Sequence, residues 1–216
     1  VMNNVLVIYG AGSKYGADIP MTVVGIVMKV FQIVISVVVG IAAGAQPIVG
    51  YNYGAGLWRR VKLIFRTMMA AEFSVGLVSL ICFEVFPVQI ISVFGSEDGL
   101  YNEFAVLAFR VFLGGIVLCC IQKSCSIFLQ SMGKPALSML LSLLRDFVLS
   151  VPLTLVLPRL FGVTGALYSG PAADVISFGA AVLCMAAVFR KLNRLEDGEV
   201  ALYGASQGGL AVERKI

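Results

Sequence analysis

The chain has no histidine, so the side chain that most often exchanges protons near neutral pH is missing. No GxSxG motif and no paired-acid motif stands in its place, which argues against conventional hydrolysis and against an enzyme. Charge is scarce as well: 13% of the 216 residues are charged, against about 25% in soluble domains. The five cysteines, Cys82, Cys119, Cys120, Cys125 and Cys184, are odd in number, lie inside apolar runs and show no CxxC or Cys/His spacing. They read as small buried apolar side chains, and no metal site is expected. Val1 opens directly into VMNNVLVIYG, without the charged start of a signal peptide.

What the chain has in quantity is apolar sequence: 59% of it is hydrophobic, and the mean hydropathy is +0.96. A helix needs about 20 residues to cross the hydrocarbon. Five segments qualify, at about 19–43, 63–94, 101–130, 137–157 and 163–189, preceded by a half-length stub at 1–9. The breaks between the later segments carry GSEDG, SMGKP and PRLFG. The expected fold is therefore an all-α polytopic membrane bundle of about five full helices plus a partial first one, over residues 1–194. The stub makes the chain look like a fragment. Residues 195–216 are polar and glycine-containing and read as a weakly ordered tail.

Lysine and arginine set the orientation. Arg59, Arg60, Lys62 and Arg66 lie after the first full segment, Lys134 after the third, and Arg190, Lys191 and Arg194 after the last. The other side holds Lys14 and Arg159, with Glu97 and Asp98 nearby. This places the 44–62 loop and the C-terminus in the cytoplasm. The net charge of +4 is thus spread for membrane orientation, and no nucleic-acid partner is expected. Within GAQPIVGYNYGAG, residues 44–56, Pro47 and the glycines are expected to end the first full helix near the interface. Gln46 and Asn52 would bond the freed backbone, while Tyr51, Tyr53 and Trp58 sit at headgroup level.

Polar side chains inside the segments are the candidates for function, because each charge at the bilayer centre costs about 2.5–3.5 kcal/mol. Gly25, Lys29, Gln32, Ser36, Gly40 and Gly44 share one helical stripe, which either lines an aqueous cleft or forms a packing seam. Arg110, Gln122 and Lys123 occupy the third segment. Ser138, Ser142, Asp146 and Ser150 recur every four residues in the next, with Arg145 turned about 100° from Asp146. Asp174 follows Pro171 in the last segment, where local water or a hydroxyl such as Ser169 could satisfy the freed carbonyl. Asp146 and Asp174 are either structural ion-pair partners of Arg145, Lys29 or Lys123, or proton-titrating groups. Glu72 and Glu84 complete the balance of buried charge. Met21, Met28, Phe31, Phe112 and Phe128 could stack on flat cations or simply pack.

The run GIVMKVFQIVISVVVGIAAGAQPIVGYNYGAG followed by WRRVK resembles the C-terminal lobe of the multidrug and toxic compound extrusion (MATE) family, in the MOP flippase superfamily. The matching positions are Gly44, Gln46, Pro47, Asn52, Tyr53, Gly54, Arg60 and Lys62. FLQSMGKP at 128–135 and PAAD at 171–174 are similar to further pieces of that family, so the likeness covers residues 3–194. It implies a twelve-helix transporter of two lobes with the substrate held between them, of which this chain carries the second. Small organic cations or drugs would be exported across the cytoplasmic membrane against H+ or Na+, with no other cofactor. The missing N-terminal lobe would complete the cleft. Two alternatives stay open: a lipid-linked glycan exporter of related fold, favoured by Lys29, Arg110, Lys123 and Arg145, and a non-transporting membrane scaffold.

Overall fold

The computed structural model describes residues 1–94 and 99–213, with side chains described as far as Gly198. Glu97 and Asp98, two of the orientation markers, lie outside the described residues. Every regular element in the described part is helical. After the stub α1 (Met2–Ala11), five stretches are long and apolar enough to cross a membrane. These are α2 (Asp18–Gly54), α3 (Trp58–Val85), α5 with α6 (Gly99–Leu113 and Ile116–Ser131), α7 with α8 (Pro135–Leu143 and Ser150–Phe161), and α9 (Val163–Glu213). A short α4 (Pro87–Ser92) follows α3.

The third span is the buried centre of the bundle and the fourth its most exposed member. Apolar side chains form two cores along the bundle axis. One joins the starts of α2 and α9 with α5, around Val27, Phe104 and Phe109. The other joins the ends of α2 and α9 with α6, around Val49, Phe128 and Leu192. Large apolar residues such as Ile33, Met139, Phe147 and Leu183 stay exposed on the outside. In a bundle solvated by lipid such a surface is expected, and two acids, Glu72 and Asp174, are buried inside it.

Two spans are interrupted at mid-length. Gly114 and Gly115 separate α5 from α6, and residues Leu144–Leu149 wind as a π-helix between α7 and α8. Pro152 lacks the N–H that would bond the Val148 carbonyl and its ring crowds that carbonyl, so a wider turn just upstream relieves the strain. The π turn also breaks the four-residue register expected for Ser138, Ser142, Asp146 and Ser150: Ser138 is buried, while the other three are only partly covered.

The first full helix does not stop at Gly44. α2 runs unbroken through Pro47 to Gly54, because a helix keeps nearly all its backbone hydrogen bonds inside the segment, where an open loop at membrane depth would leave them unmet. Pro47 and Ala43, whose mutual hydrogen bond is lost, both lie on the exposed side. The actual turn is three residues long. The N–H of Ala55 donates to the Tyr51 carbonyl at 2.9 Å, that of Leu57 to the Asn52 carbonyl at 2.9 Å, and Gly56 takes φ +72°, a conformation that favours glycine. Asn52 is buried and donates to the Ile48 carbonyl of its own helix at 2.8 Å. Tyr53 and Trp58 close the turn edge to face, with ring centroids 5.4 Å apart.

A second correction concerns the tail: α9 continues as helix to Glu213 instead of fraying at Leu195. Lys62 helps hold it, donating to Asn193 Oδ1 at 2.8 Å and pairing with Glu196. This contact puts the α2–α3 turn and the 193–196 region at one end of the bundle. Lys134, in the turn before α7, lies at the same end, and partial burial and the neighbouring charge of Lys191 hold its amine below the usual lysine range. Lys14 lies at the other end, paired with Glu103 at 2.7 Å.

Candidate functional site

Four of the singled-out side chains meet in the middle of the bundle. α6 supplies Lys123, the π turn supplies Arg145 and Asp146, and α9 supplies Asp174 one turn past Pro171. Lys123 Nζ lies 3.3 Å from Asp146 Oδ2, and Arg145 Nη1 donates to Asp146 Oδ1 at 2.7 Å. Arg145 Nε and Nη2 both reach Asp174 Oδ1 at 2.8 Å. Arg145 is thus the hub of a chain running Lys123, Asp146, Arg145, Asp174. Of the ion-pair partners the sequence offered for the two acids, Arg145 takes both and Lys123 takes Asp146: the long guanidinium arm, leaving a widened turn, bonds its sequence neighbour and α9 together.

Burial differs along this chain. The Asp174 side chain is 3% exposed and that of Arg145 14%, whereas Asp146 is 41% exposed. The network therefore has a dry end and a wetter end. Gly115 makes the dry end possible: a Cβ there would stand 2.9 Å from Asp174 Oδ2 and 3.2 Å from the Pro171 Cα. The GG pair at 114–115 is the sequence signal for this close approach, a signal that a search for charged residues passes over.

A cavity of about 160 Å³ opens beside Arg145. Met28 and Phe31 of α2, Phe112 of α5, Thr154 of α8 and Ser169 of α9 line it together with Arg145. The guanidinium lies 5.9 Å from the Phe31 ring centroid, and Phe31 meets Phe112 edge to face at 6.3 Å. Thr154 Oγ1 donates to Ser169 Oγ at 3.2 Å, and Ser169 Oγ donates to the Ala166 carbonyl at 2.7 Å. The cavity combines aromatic and thioether walls with hydroxyls and one charged rim, the composition that suits a flat amphipathic ligand. Phe128 is not part of it. That ring is fully buried against Phe65, centroids 4.7 Å apart, in the other core.

The remaining candidates lie elsewhere. Gln122 is buried and turned toward α7, donating to the Leu141 carbonyl at 3.3 Å. Lys29, Gln32 and Ser36 are exposed on α2. Lys29 makes no ion pair among the described residues, and Ser36 Oγ donates to the Gln32 carbonyl of its own helix at 2.8 Å. Their stripe is no packing seam within this chain, since nothing lies within 4 Å of a Cβ built at Gly25, Gly40 or Gly44. In the turn motif Gly44, Pro47, Gly54 and Arg60 are exposed, Gln46 and Tyr53 half-buried and Asn52 buried.

The MatE family model matches residues 3–156. The chain belongs to the MatE family. It is 24% identical over 162 residues to the multidrug export protein MepA of Staphylococcus aureus (strain NCTC 8325 / PS 47), covering 74% of this chain and 35% of that protein. Among solved structures it resembles the MATE multidrug transporter DinF-BH, at 30% identity and TM-score 0.71, over 81% of this chain and 39% of that one. An outward-facing multidrug resistance MATE transporter of the MOP superfamily shares the fold with TM-score 0.79 at 17% identity, over 89% of this chain and 42% of the other. This MatE chain thus spans about a third of the curated relative it matches. It is a multi-pass membrane protein.

Proposed function

We propose that this chain is one lobe of a cation-coupled antiporter that exports drugs or organic cations across the cytoplasmic membrane, working with a second lobe that completes the cleft. The single observation that carries the reading is the Arg145-centred network at the rim of a cavity walled by Met28, Phe31 and Phe112. Family membership and relatives named as multidrug exporters support it. In this reading Asp146 and Asp174 exchange Arg145 or Lys123 for the coupling ion, H+ or Na+, as the lobe rocks against its partner. The basic end bearing Arg59, Arg60, Lys62, Lys134 and Lys191 faces the cytoplasm.

A glycan-exporter reading draws on Lys29, Arg110, Lys123 and Arg145 as free cations for a pyrophosphate. Arg110 lies 3.4 Å from Glu84 Oε2, and Lys123 and Arg145 are held by aspartates, so that set is largely neutralised. The test is efflux of a cationic dye from proteoliposomes holding a full-length transporter that contains this lobe, under an imposed H+ or Na+ gradient. Asp146→Asn or Asp174→Asn should abolish gradient-driven efflux while dye binding persists. Efflux at the wild-type rate in both variants would remove these acids from coupling.

A further inference from the structure

A second buried acid lies against an adjoining face of α6 and belongs to none of this machinery. Glu72 of α3 is fully buried, and neither carboxyl oxygen has a hydrogen-bond partner. The polar group facing it is Ser124 of α6, whose buried hydroxyl is close enough to act on the carboxyl but makes no hydrogen bond of normal geometry to it. None of the ion pairs among the described residues includes Glu72. The titratable group facing it across the contact is Cys120 of α6.

One turn along, the two helices are in near-backbone contact: a Cβ at Gly76 would lie 3.1 Å from the Val117 Cα and 3.5 Å from Cys120 Sγ. There is no basic partner among the described residues, and little room for one. A carboxylate shut away with neither cation nor N–H donor costs far more than the marginal stability of a fold can absorb. The site therefore has to take up positive charge whenever this packing forms. A metal ion wants a shell of oxygens, six or more for calcium, and no group of three or more acids, cysteines or histidines exists among the described residues. A proton needs only the carboxyl itself, and a carboxylic acid O–H could then donate to Ser124 Oγ.

We propose that Glu72 is a proton-binding site built into the α3–α6 contact, and that release of its proton loosens that contact at Gly76 and Cys120. The site is independent of the transport reading, because it rests on the packing of two helices within this chain. Its link to the Arg145 network is α6, which carries Cys119 and Lys123 on one stripe and Cys120 and Ser124 on the adjoining one, about 100° around the axis.

The test uses the chain in lipid vesicles and a hydrophobic carbodiimide, which adds to protonated carboxyls in apolar surroundings, with the adduct located by mass spectrometry. Glu72 in the unaltered chain should be modified at acid pH, with the yield falling by about tenfold per pH unit beyond its midpoint. No variant is needed for that result. Amide exchange over residues 117–124 is then compared between the unaltered chain and Glu72→Gln at matched pH. The two should agree at the acid end, and the unaltered chain should exchange faster at the alkaline end. No adduct on Glu72 at any pH overturns the site, and equal exchange throughout overturns the loosening.

Discussion

Two acids are buried in this bundle within reach of the same helix, and they are treated in opposite ways. Asp174 receives two donors from Arg145, and its neighbour Gly115 is stripped of a side chain to let it in. Glu72 receives none. Burial inside the bundle desolvates both, so the difference lies in how each charge is answered: one by a fixed cation, the other by a ligand that can come and go. A paired acid holds its helices together constantly, and an unpaired one holds them conditionally.

The most severe way to break the contrast is to make Asp174 resemble Glu72. Arg145→Leu leaves the Asp174 charge without its partner and should cost about 3–5 kcal/mol, read as thermal unfolding in detergent. Gly115→Val acts on the same acid through space, pushing against Asp174 Oδ2 and the Pro171 backbone. Overpacking of that kind should cost about 1–3 kcal/mol by the same measurement. Glu72→Gln removes a titratable group but no cation contact, and its effect on unfolding at acid pH should stay below about 1 kcal/mol. Lys123→Met should cost less still, under about 1 kcal/mol, because its 3.3 Å contact is to an acid that Arg145 also holds.

The smallest effect should come from the wet end of the bundle. Lys134 is held below the ordinary lysine range by partial burial and by Lys191. Lys191→Gln should therefore let Lys134 titrate at higher pH, visible by NMR of methyl-labelled lysines, with no measurable change in unfolding. A shift of Lys134 downward would contradict the like-charge contact.

Much of the fold was legible because lipid makes a simple demand. Long apolar runs bounded by glycine, proline or charge had to be spanning helices, and the five spans and the stub follow that rule. What misled was reading Pro47 and its glycines as a helix end, since in a membrane the cost of open backbone outweighs weak helix propensity. The site was half legible. Charge scarcity pointed to Lys123, Arg145, Asp146 and Asp174 and offered Arg145 as a partner for either acid, but helical spacing could not say which of Arg145, Lys29 and Lys123 would pair with which, and a π turn changes the register. Glu72 looked like one charge among several until its lack of a partner was seen, and that is a property of packing, not of sequence.

The central claim is that the Arg145–Asp174 contact is the ionic hub of the lobe. A double-mutant cycle of Arg145→Leu, Asp174→Leu and the pair together, followed by thermal unfolding in detergent, measures that directly. Each single change should be severe, about 3–5 kcal/mol, and the double should cost no more than either single change alone, giving a coupling energy of at least about 3 kcal/mol. Additive losses, with no recovery in the double, would mean that the two charges do not depend on each other and that the network has another centre.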